Sequence, residues 1–213
     1  MAENKENRET KGKNRVALIE ATLESIADIG FARTSVSEII ARANLSRGMI
    51  HLHFNGKDNL VVEAAKYASA SYYDSLDQLL ASAGPSPQER LDAIVRSDLS
   101  EEVLNRKSVS IWYAFRGEAR ERAAIAAYSD TRDARLRDLA YTAFLEMASE
   151  VNLPDPEAVA RDATHGILAF LEGMWTDYLL HPESFSRKSA LRIIFRFLSA
   201  LFPRYFNLNG SIV

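Results

Sequence analysis

The feature that most constrains the fold is a pair of short predicted helices joined by only three residues. Ser35 and Glu38 form the pattern of a capping box, in which a hydroxyl and a carboxylate satisfy free amides at a helix start. The helix that follows is expected to end near Ala43, because Asn44 tolerates a left-handed backbone conformation. Ser46 then stands where a residue can cap the next helix. This spacing predicts a tight helix-turn-helix.

Helical spacing recurs along the rest of the chain, whereas strand patterns do not. Between Lys13 and Ile29 the apolar residues are three or four positions apart, and Gly30 follows as a helix stop. No sustained alternation of apolar and polar residues favours a strand. Later helices are predicted over 57–80, 87–105, 107–127, 129–150, 156–181 and 186–201, with breaks at prolines. The chain is therefore predicted to be all-α.

The helical pattern divides the chain into a small amino-terminal head and a larger body. Residues 1–11 are predicted to be a flexible basic arm, because they hold no apolar side chain beyond the first two residues. A three-helix head with the helix-turn-helix is predicted over 12–56 and a helical body over 57–203, followed by a tail over 204–213. The body is long enough to bury a core of its own.

Composition excludes several classes of protein. The chain has no cysteine, which rules out disulfides and thiolate metal sites and fits a reducing compartment. No window approaches 18 uninterrupted apolar residues, and the amino terminus lacks the apolar run of a secretory signal. His51 and His53 are not expected to bind a metal, since residues two apart on a helix point to different faces. We expect a cytoplasmic protein without metal or cofactor.

The formal net charge of −3 argues at first against a nucleic-acid partner, because phosphate binding normally requires a basic surface. The charge is unevenly distributed, however. Up to Asn59 there are nine Lys and Arg against eight Asp and Glu, a net charge of +1, whereas the remainder has 17 against 21, a net charge of −4. A local basic feature near the amino terminus consists of Arg8, Lys11, Lys13 and Arg15.

The second helix of the predicted motif has the composition of a helix that contacts DNA. Ile50 and Phe54 are expected to face the core, which leaves Arg47 and Gly48 outside. Gly48 allows close approach to the duplex, and Arg47 can donate to guanine O6 and N7 in the major groove. Phosphate contacts are expected from Ser35, His51, His53 and Lys57. The full set of predicted DNA-binding residues is Ser35, Ser46, Arg47, Gly48, Met49, His51, His53 and Lys57.

The same residues resemble the TetR family of bacterial transcriptional regulators. The family pattern is present as Leu45-Ser46-x-Gly48-x-Ile50, then His53-Phe54 and Lys57-x-x-Leu60, and it extends to Ile29-Gly30-Phe31 at the end of the first helix. The resemblance implies an amino-terminal DNA-binding domain followed by a ligand-binding and dimerisation domain. It also implies a repressor that leaves a palindromic operator when a small molecule binds.

The body is similar to the choline-responsive BetI branch of that family. The likeness is carried by Trp112-Tyr113-Ala114-Phe115, by Arg132-Asp133-Ala134-Arg135-Leu136 and by the run from Leu168 to Trp175. It implies an effector site, with a quaternary ammonium compound such as choline as one candidate ligand. An aromatic cage with a carboxylate suits such a cation, although core packing explains the same aromatic residues. The candidate effector residues are Trp112, Tyr113, Phe115, Phe170, Glu172, Trp175 and Tyr178.

The last two predicted helices carry broad apolar faces. These faces can form a hairpin within one chain or a two-fold interface with a second copy. A single short recognition helix usually needs a partner for a second half-site, so we favour a homodimer. The candidate interface residues are Ile167, Leu171, Met174, Leu191, Ile194, Phe195 and Leu198.

Two other classes of function are weighed against the regulator. One is a helical ligand-binding protein without sequence-specific DNA binding. The other is a helical enzyme, which is disfavoured because the sequence shows no cysteine nucleophile, phosphate-binding glycine loop or recognisable triad. The expected partners are therefore double-stranded operator DNA, a small-molecule effector and a second copy of the chain, with no membrane.

Overall fold

The computed structural model describes residues 2–207, with the backbone alone for 2–9 and 129–133. All the secondary-structure elements in this span are helices, which confirms the predicted all-α class. Met1 of the predicted arm and residues 208–213 of the predicted tail lie outside the described residues. The helices are α1 (Ala2–Ile29), α2 (Val36–Ala43), α3 (Arg47–Phe54), α4 (Lys57–Ser82), α5 (Pro87–Asp98), α6 (Arg106–Ala119), α7 (Ala123–Glu150), α8 (Pro156–Leu180) and α9 (Arg187–Leu201), with a short 3₁₀ helix at Phe31–Arg33.

The first helix begins earlier than the sequence indicated. Its backbone is helical from Ala2, whereas the prediction placed a flexible arm over 1–11 and a helix start near Lys13. The early segment is rich in Glu, Lys and Arg, which are good helix formers, and it contains no proline. Because the helix is already nucleated further along the chain, adding turns at its start costs little.

The helix-turn-helix forms with the predicted bounds. Helix α2 begins after Ser35, whose Oγ accepts from the Glu38 amide at 3.1 Å, and it ends at Asn44 with a φ of 51°. The Glu38 carboxylate accepts from Arg42 Nε at 2.8 Å, so it serves an ion pair where a capping box was predicted. Helix α3 ends at Asn55, which is also left-handed, with a φ of 58°. Local chemistry at the helix ends thus determines the turn.

The chain forms two compact units, and the first comprises the residues up to Ser71 together with Ser110–Ser129. This unit is larger than the head predicted over 12–56, because Leu60 of α4 and Phe115 of α6 are buried in the same core as α1, α2 and α3. The larger buried members of this core are Leu18, Ile19, Leu23, Ile26, Ile39, Ile50, Phe54, Leu60, Val61, Ile111, Phe115 and Ile125.

The second unit comprises Tyr72–Val109 and the residues from Asp130 onward. Its core includes Phe144 of α7, which stacks on Phe202 with ring centroids 5.5 Å apart. Phe206 belongs to the predicted tail, yet it is fully buried. The chain therefore continues into the core of this unit beyond the end of α9.

Helix α5 ends at Asp98, well before the predicted end at 105. The following segment is held by the burial of Leu99 and Leu104 and by Arg187 at the start of α9. Arg187 Nε donates to the Leu99 carbonyl at 3.1 Å, and Arg187 Nη2 donates to the Leu104 carbonyl. These partners are distant in sequence, so helical spacing along the segment could not reveal them.

Residues 2–207 contain neither a candidate membrane-spanning helix nor a candidate metal cluster. None of the helices in this span combines the length and apolar composition needed to cross a membrane. The described side chains of this span also include no group of three or more His, Asp and Glu placed to hold a metal ion.

Candidate nucleic-acid interface

Helix α3 is held in the first unit by its inward-facing side chains. Ile50 and Phe54 are buried in the core of that unit. The Arg15 guanidinium of α1 lies over the Phe54 ring, 5.4 Å from its centroid, and also pairs with Glu63 of α4. These contacts connect α3 to α1 and α4 and so determine which face of α3 points outward.

The outward face of α3 carries Arg47, Gly48, His51 and Leu52, all of which are exposed. Gly48 and Leu52 are four residues apart, so they are neighbours on the helix surface. A Cβ added at Gly48 would meet nothing closer than Ser46 Oγ at 3.9 Å. The outer surface is therefore open at Gly48, and a partner can approach the helix backbone there.

Arg47 is the first residue of α3, and among the described side chains none pairs with its guanidinium. Its N–H donors are available to a partner. Arg42 on α2 differs, because it pairs with Asp28 at 2.6 Å and with Glu38 at 2.8 Å. The hydrogen bond to Asp28, followed by the one to Glu38, raises the pKa of Arg42. Arg42 and Arg47 carry the same charge, but only the Arg47 guanidinium is both unpaired among the described side chains and located at the start of α3. Arg47 is therefore the better candidate for base contact.

Ser46 and Met49 take structural positions at the start of α3. Ser46 is the N-cap residue, but its side chain forms no capping hydrogen bond, and its carbonyl accepts from the Met49 amide at 3.0 Å. Met49 is half-buried and packs against the core of the first unit. Of these two predicted DNA-binding residues, Ser46 has the exposed side chain, whereas much of Met49 is used in packing.

His53 is half-buried next to Phe54, with ring centroids 6.0 Å apart. Its Nε2 atom is buried and has no hydrogen-bond partner among the described residues. Burial, and then the positive charges of Lys11 and Arg15, lower the pKa of His53 below its ordinary value. Because its Nε2 atom is buried, His53 is a weaker candidate for phosphate contact than the exposed His51.

Exposed donors for phosphate contact lie on both sides of α3 in sequence. Ser35 is exposed at the start of α2, and Lys57 is half-exposed at the start of α4. Lys11 and Lys13 are exposed on α1, whereas Arg15 of the same basic feature is engaged with Glu63. The side chain of Arg8, the fourth basic residue of that feature, lies outside the described side chains.

Leu52 is a candidate that the sequence analysis missed. At 63% it is the most exposed of the large apolar side chains described in the first unit. The signal was present in the spacing, because position 52 lies about 200° around the helix from the inward-facing position 50. Because apolar residues are usually assigned to the core, the sequence did not indicate a functional surface residue at this position.

The predicted effector residues are divided between the two units, and three of them lie on α6 in the first. Phe115 is buried and packs edge-on against Phe31, with ring centroids 6.4 Å apart. Trp112 and Tyr113 are half-buried, and the Arg116 guanidinium lies 5.9 Å from a Trp112 ring centroid. Phe115 is thus a core residue of the first unit, and its contact with a ligand stays a prediction.

The other four predicted effector residues lie on α8 in the second unit. Phe170 packs against Phe197 with ring centroids 4.8 Å apart, and Tyr178 packs against Phe185 at 5.3 Å. Glu172 is half-buried. Packing within the unit therefore accounts for much of the surface of two of these aromatic side chains.

Trp175, the fourth of this group, donates to the carboxylate of Asp98, a residue that was not predicted to be functional. Asp98 at the end of α5 has no exposed surface. Its Oδ1 accepts from the Tyr72 hydroxyl and its Oδ2 from Trp175 Nε1, each at 2.9 Å. Burying a carboxylate is costly unless its oxygens are satisfied, and these two donors do so. The result is a buried carboxyl group beside two aromatic rings.

The structure corrects the predicted dimer interface. Five of its seven candidates are fully buried within the single chain, namely Ile167, Leu171, Ile194, Phe195 and Leu198. A side chain that is already buried has no further surface to lose to a second copy. Met174 and Leu191 are half-buried. The large apolar side chains that α8 and α9 leave exposed are Leu179, Leu180, Ile193 and Leu201.

Two family models match this chain. Residues 18–64 match the model described as bacterial regulatory proteins of the tetR family. Residues 87–203, more than half of the chain, match the carboxyl-terminal domain of the BetI-type transcriptional repressor. The first match contains the helix-turn-helix, and the second contains the five helices from α5 to α9.

Individual relatives agree with the family models. The HTH-type transcriptional regulator BetI of Burkholderia mallei (strain NCTC 10229) is 26% identical over 179 residues, which cover 84% of this chain and 88% of that protein. Its counterpart from Stenotrophomonas maltophilia (strain R551-3) is 27% identical over 184 residues, covering 86% and 90%.

Solved structures share the fold. A transcriptional regulator from Pseudomonas aeruginosa PAO1 superposes with a TM-score of 0.79 at 29% identity, covering 89% of this chain and 90% of that one. A regulator from Saccharomonospora viridis, solved in complex with choline, gives a TM-score of 0.74 at 19% identity, covering 87% and 95%.

Proposed function

This chain belongs to the TetR family of bacterial regulatory proteins and carries the BetI-type repressor domain. We propose that it binds a two-fold operator through α3 and releases the operator when a cationic effector binds. It is a DNA-binding transcriptional repressor and not an enzyme. The observation that carries the proposal is the open outer face of α3, where Arg47 and Gly48 lie exposed side by side. A repressor acts on DNA, so we propose a cytoplasmic location.

We assign the DNA contacts by exposure and donor chemistry. Arg47 donates to a guanine edge in the major groove, with Gly48 allowing the helix to lie close to the bases. Ser35, His51 and Lys57 contact phosphates on either side and set the position of α3 along the duplex. Ser46 is a further exposed donor at the start of α3, whereas Met49 and His53 mainly support the helix from within.

A homodimer follows from the geometry of recognition. One α3 helix covers only one half-site, and a two-fold operator needs two copies of the chain. We propose that the exposed apolar residues of α8 and α9, namely Leu179, Leu180, Ile193 and Leu201, contribute to the contact between copies. Met174 and Leu191, the two predicted interface residues that are only half-buried, can contribute their remaining exposed surface to this contact.

We propose a quaternary ammonium compound as the effector. The support is twofold: the Saccharomonospora viridis regulator that shares this fold is in complex with choline, and the second unit holds a buried carboxylate, Asp98, beside the rings of Tyr72 and Trp175. A quaternary ammonium group has no N–H donor and is attracted by aromatic faces and by negative charge. In the second unit Glu172 remains a further candidate for ligand contact, and Trp112 and Tyr113 remain separate candidates in the first unit.

Release of the operator follows as a shift between two conformations. The effector must bind more tightly to the conformation in which the two α3 helices no longer fit successive major grooves. Helix α4 carries the change in this proposal, because it continues from the turn after α3 into the second unit. An effector with equal affinity for both conformations would leave DNA binding unchanged.

Selection from a random duplex library tests the function. The full-length protein is expected to enrich one motif in two inverted copies, with their centres about one helical turn or a multiple of it apart. The selected duplex should bind more tightly than a scrambled one at the same salt concentration, since phosphate contacts alone do not discriminate sequence. Enrichment of a single uninverted motif would contradict the homodimer, and retention of all duplexes equally would contradict sequence-specific binding.

Replacement of Asp98 by asparagine tests the effector class. The amide keeps the size of the side chain but removes its charge, so we expect the Kd for choline to rise about tenfold or more, whereas operator binding without choline stays within about twofold. Calorimetry with choline measures the first quantity and fluorescence anisotropy with the selected duplex measures the second.

Glu157→Gln is the matched control, because Glu157 is an exposed carboxylate in the first turn of α8. This variant should bind choline as the unmodified protein does. Absence of heat with choline in the unmodified protein would reject the proposed effector class. An unchanged Kd in Asp98→Asn would instead reject Asp98 as the source of the attraction and leave the class standing.

A further inference from the structure

We infer that Leu52 recognises thymine in each operator half-site by contact with the 5-methyl group in the major groove. The inference rests on the proposed function, since it requires α3 to lie in that groove. It adds a second determinant of sequence specificity to Arg47, one that works by apolar contact instead of hydrogen bonding.

The first observation is the exposure of an apolar side chain that the fold cannot cover. Leu52 is 63% exposed, whereas Ile50 and Phe54 on the other side of the same helix are buried in the core. Rotation of α3 to bury Leu52 would expose both of those residues. A single exposed leucine is ordinary on a protein surface, so exposure alone does not indicate a function for Leu52. The evidence must come from the residues beside it on the helix.

The second observation is the position of Leu52 beside an open backbone. Gly48 lies one turn earlier on the same face, and nothing nearer than Ser46 Oγ fills the space where its Cβ would be. A duplex that approaches the Gly48 backbone closely brings its base edges within reach of Leu52. Exposed Arg47 and His51 lie along one side of this strip and supply polar contacts next to it.

The chemistry of the groove then selects the base. Thymine alone presents a methyl group on the major-groove edge, whereas the other bases present mainly hydrogen-bond donors and acceptors there. A leucine side chain makes no hydrogen bond and gains most by excluding water from another apolar group. The contact therefore favours thymine and disfavours polar edges, next to the guanine expected at Arg47.

Uracil substitution isolates this contact, because deoxyuridine differs from thymidine only in lacking the methyl group. Each thymine of the selected operator is replaced in turn, symmetrically in both half-sites, and binding is measured by fluorescence anisotropy at fixed salt. We expect one position per half-site at which uracil weakens binding about fourfold for each methyl group lost, the loss that removal of one buried methyl group produces.

The Leu52→Ala variant completes a double-mutant cycle. It should bind the thymine operator more weakly than the unmodified protein and should lose its sensitivity to uracil at that one position. Val16→Ala, which shortens an exposed apolar residue of α1, should keep full sensitivity. Circular dichroism serves to confirm that both variants retain their helices, as expected for changes at the surface.

The outcomes separate the inference from the function on which it rests. Failure of the unmodified protein to bind any selected operator contradicts the proposed function itself. Tight binding with no effect of uracil at any position overturns the role of Leu52, as does equal uracil sensitivity in Leu52→Ala. Retained operator affinity in Leu52→Ala, together with loss of binding to another protein, would show that Leu52 serves a protein partner and would also overturn the inference.

Discussion

Replacing Arg47 with alanine is expected to weaken binding to the selected operator by about 5- to 150-fold for each half-site, the range that corresponds to loss of one bidentate contact to a base. The guanidinium is exposed at the start of α3, and no described side chain competes for it. Its removal should therefore cost little stability while abolishing the preference for guanine at one position of each half-site. Anisotropy with operators carrying each of the four bases at that position measures both effects.

Two further arginine variants separate base recognition from charge. Arg47→Lys keeps the positive charge but loses the planar fork, so it should relax the base preference more than it weakens binding overall. Arg161→Ala removes the same charge from an exposed position on α8 and should leave operator binding unchanged. If Arg47→Ala retains both affinity and base preference, α3 does not contact the operator in the proposed way.

The helix-turn-helix could be predicted from sequence because its determinants are local. Ser35 caps α2, and Asn44 and Asn55 take left-handed conformations at the ends of α2 and α3, where small polar residues with suitable side chains are preferred. The spacing of Ile50 and Phe54 also identified the buried face of α3 correctly. Each of these signals lies within a few residues of the structure that it determines.

The body could be predicted only in outline, because helical spacing shows that a face is apolar but not what covers it. Ile167 and Phe195 were assigned to a contact between copies, and the single chain buries both. Phe115 is predicted for a ligand site, and in the structure its ring packs against Phe31. In each case the covering residue comes from elsewhere in the sequence, so the assignment required the folded chain.

Asp98 shows the same limit for a polar residue. In sequence it is one acid near the end of an amphipathic helix, where an exposed position is the usual expectation. The structure buries it because Tyr72, 26 residues away, and Trp175, 77 residues away, both donate to its oxygens. No local pattern contains that information.

Gly48→Ala is expected to change stability and DNA binding in opposite directions. The backbone at Gly48 is not in the left-handed region and an added Cβ meets no close neighbour, so alanine should fit without strain. Alanine in a helix is more favourable than glycine by about 0.5–1 kcal/mol, which should raise the Tm by a few degrees. The same methyl group stands where α3 meets the base edges, so operator affinity should fall, and Gly48→Leu should lower it by more than about tenfold.

The predicted rise in stability together with the predicted fall in operator affinity distinguishes two roles for Gly48. A purely structural glycine would lose stability and binding together, whereas a glycine that permits close approach loses binding while stability rises. Gly117→Ala is the matched control, because Gly117 is an exposed glycine in α6 whose added Cβ also meets no neighbour. That variant should gain stability without weakening DNA binding. Thermal unfolding and anisotropy on the same samples compare the two, and unchanged operator affinity in both Gly48 variants would place the DNA away from this face of α3.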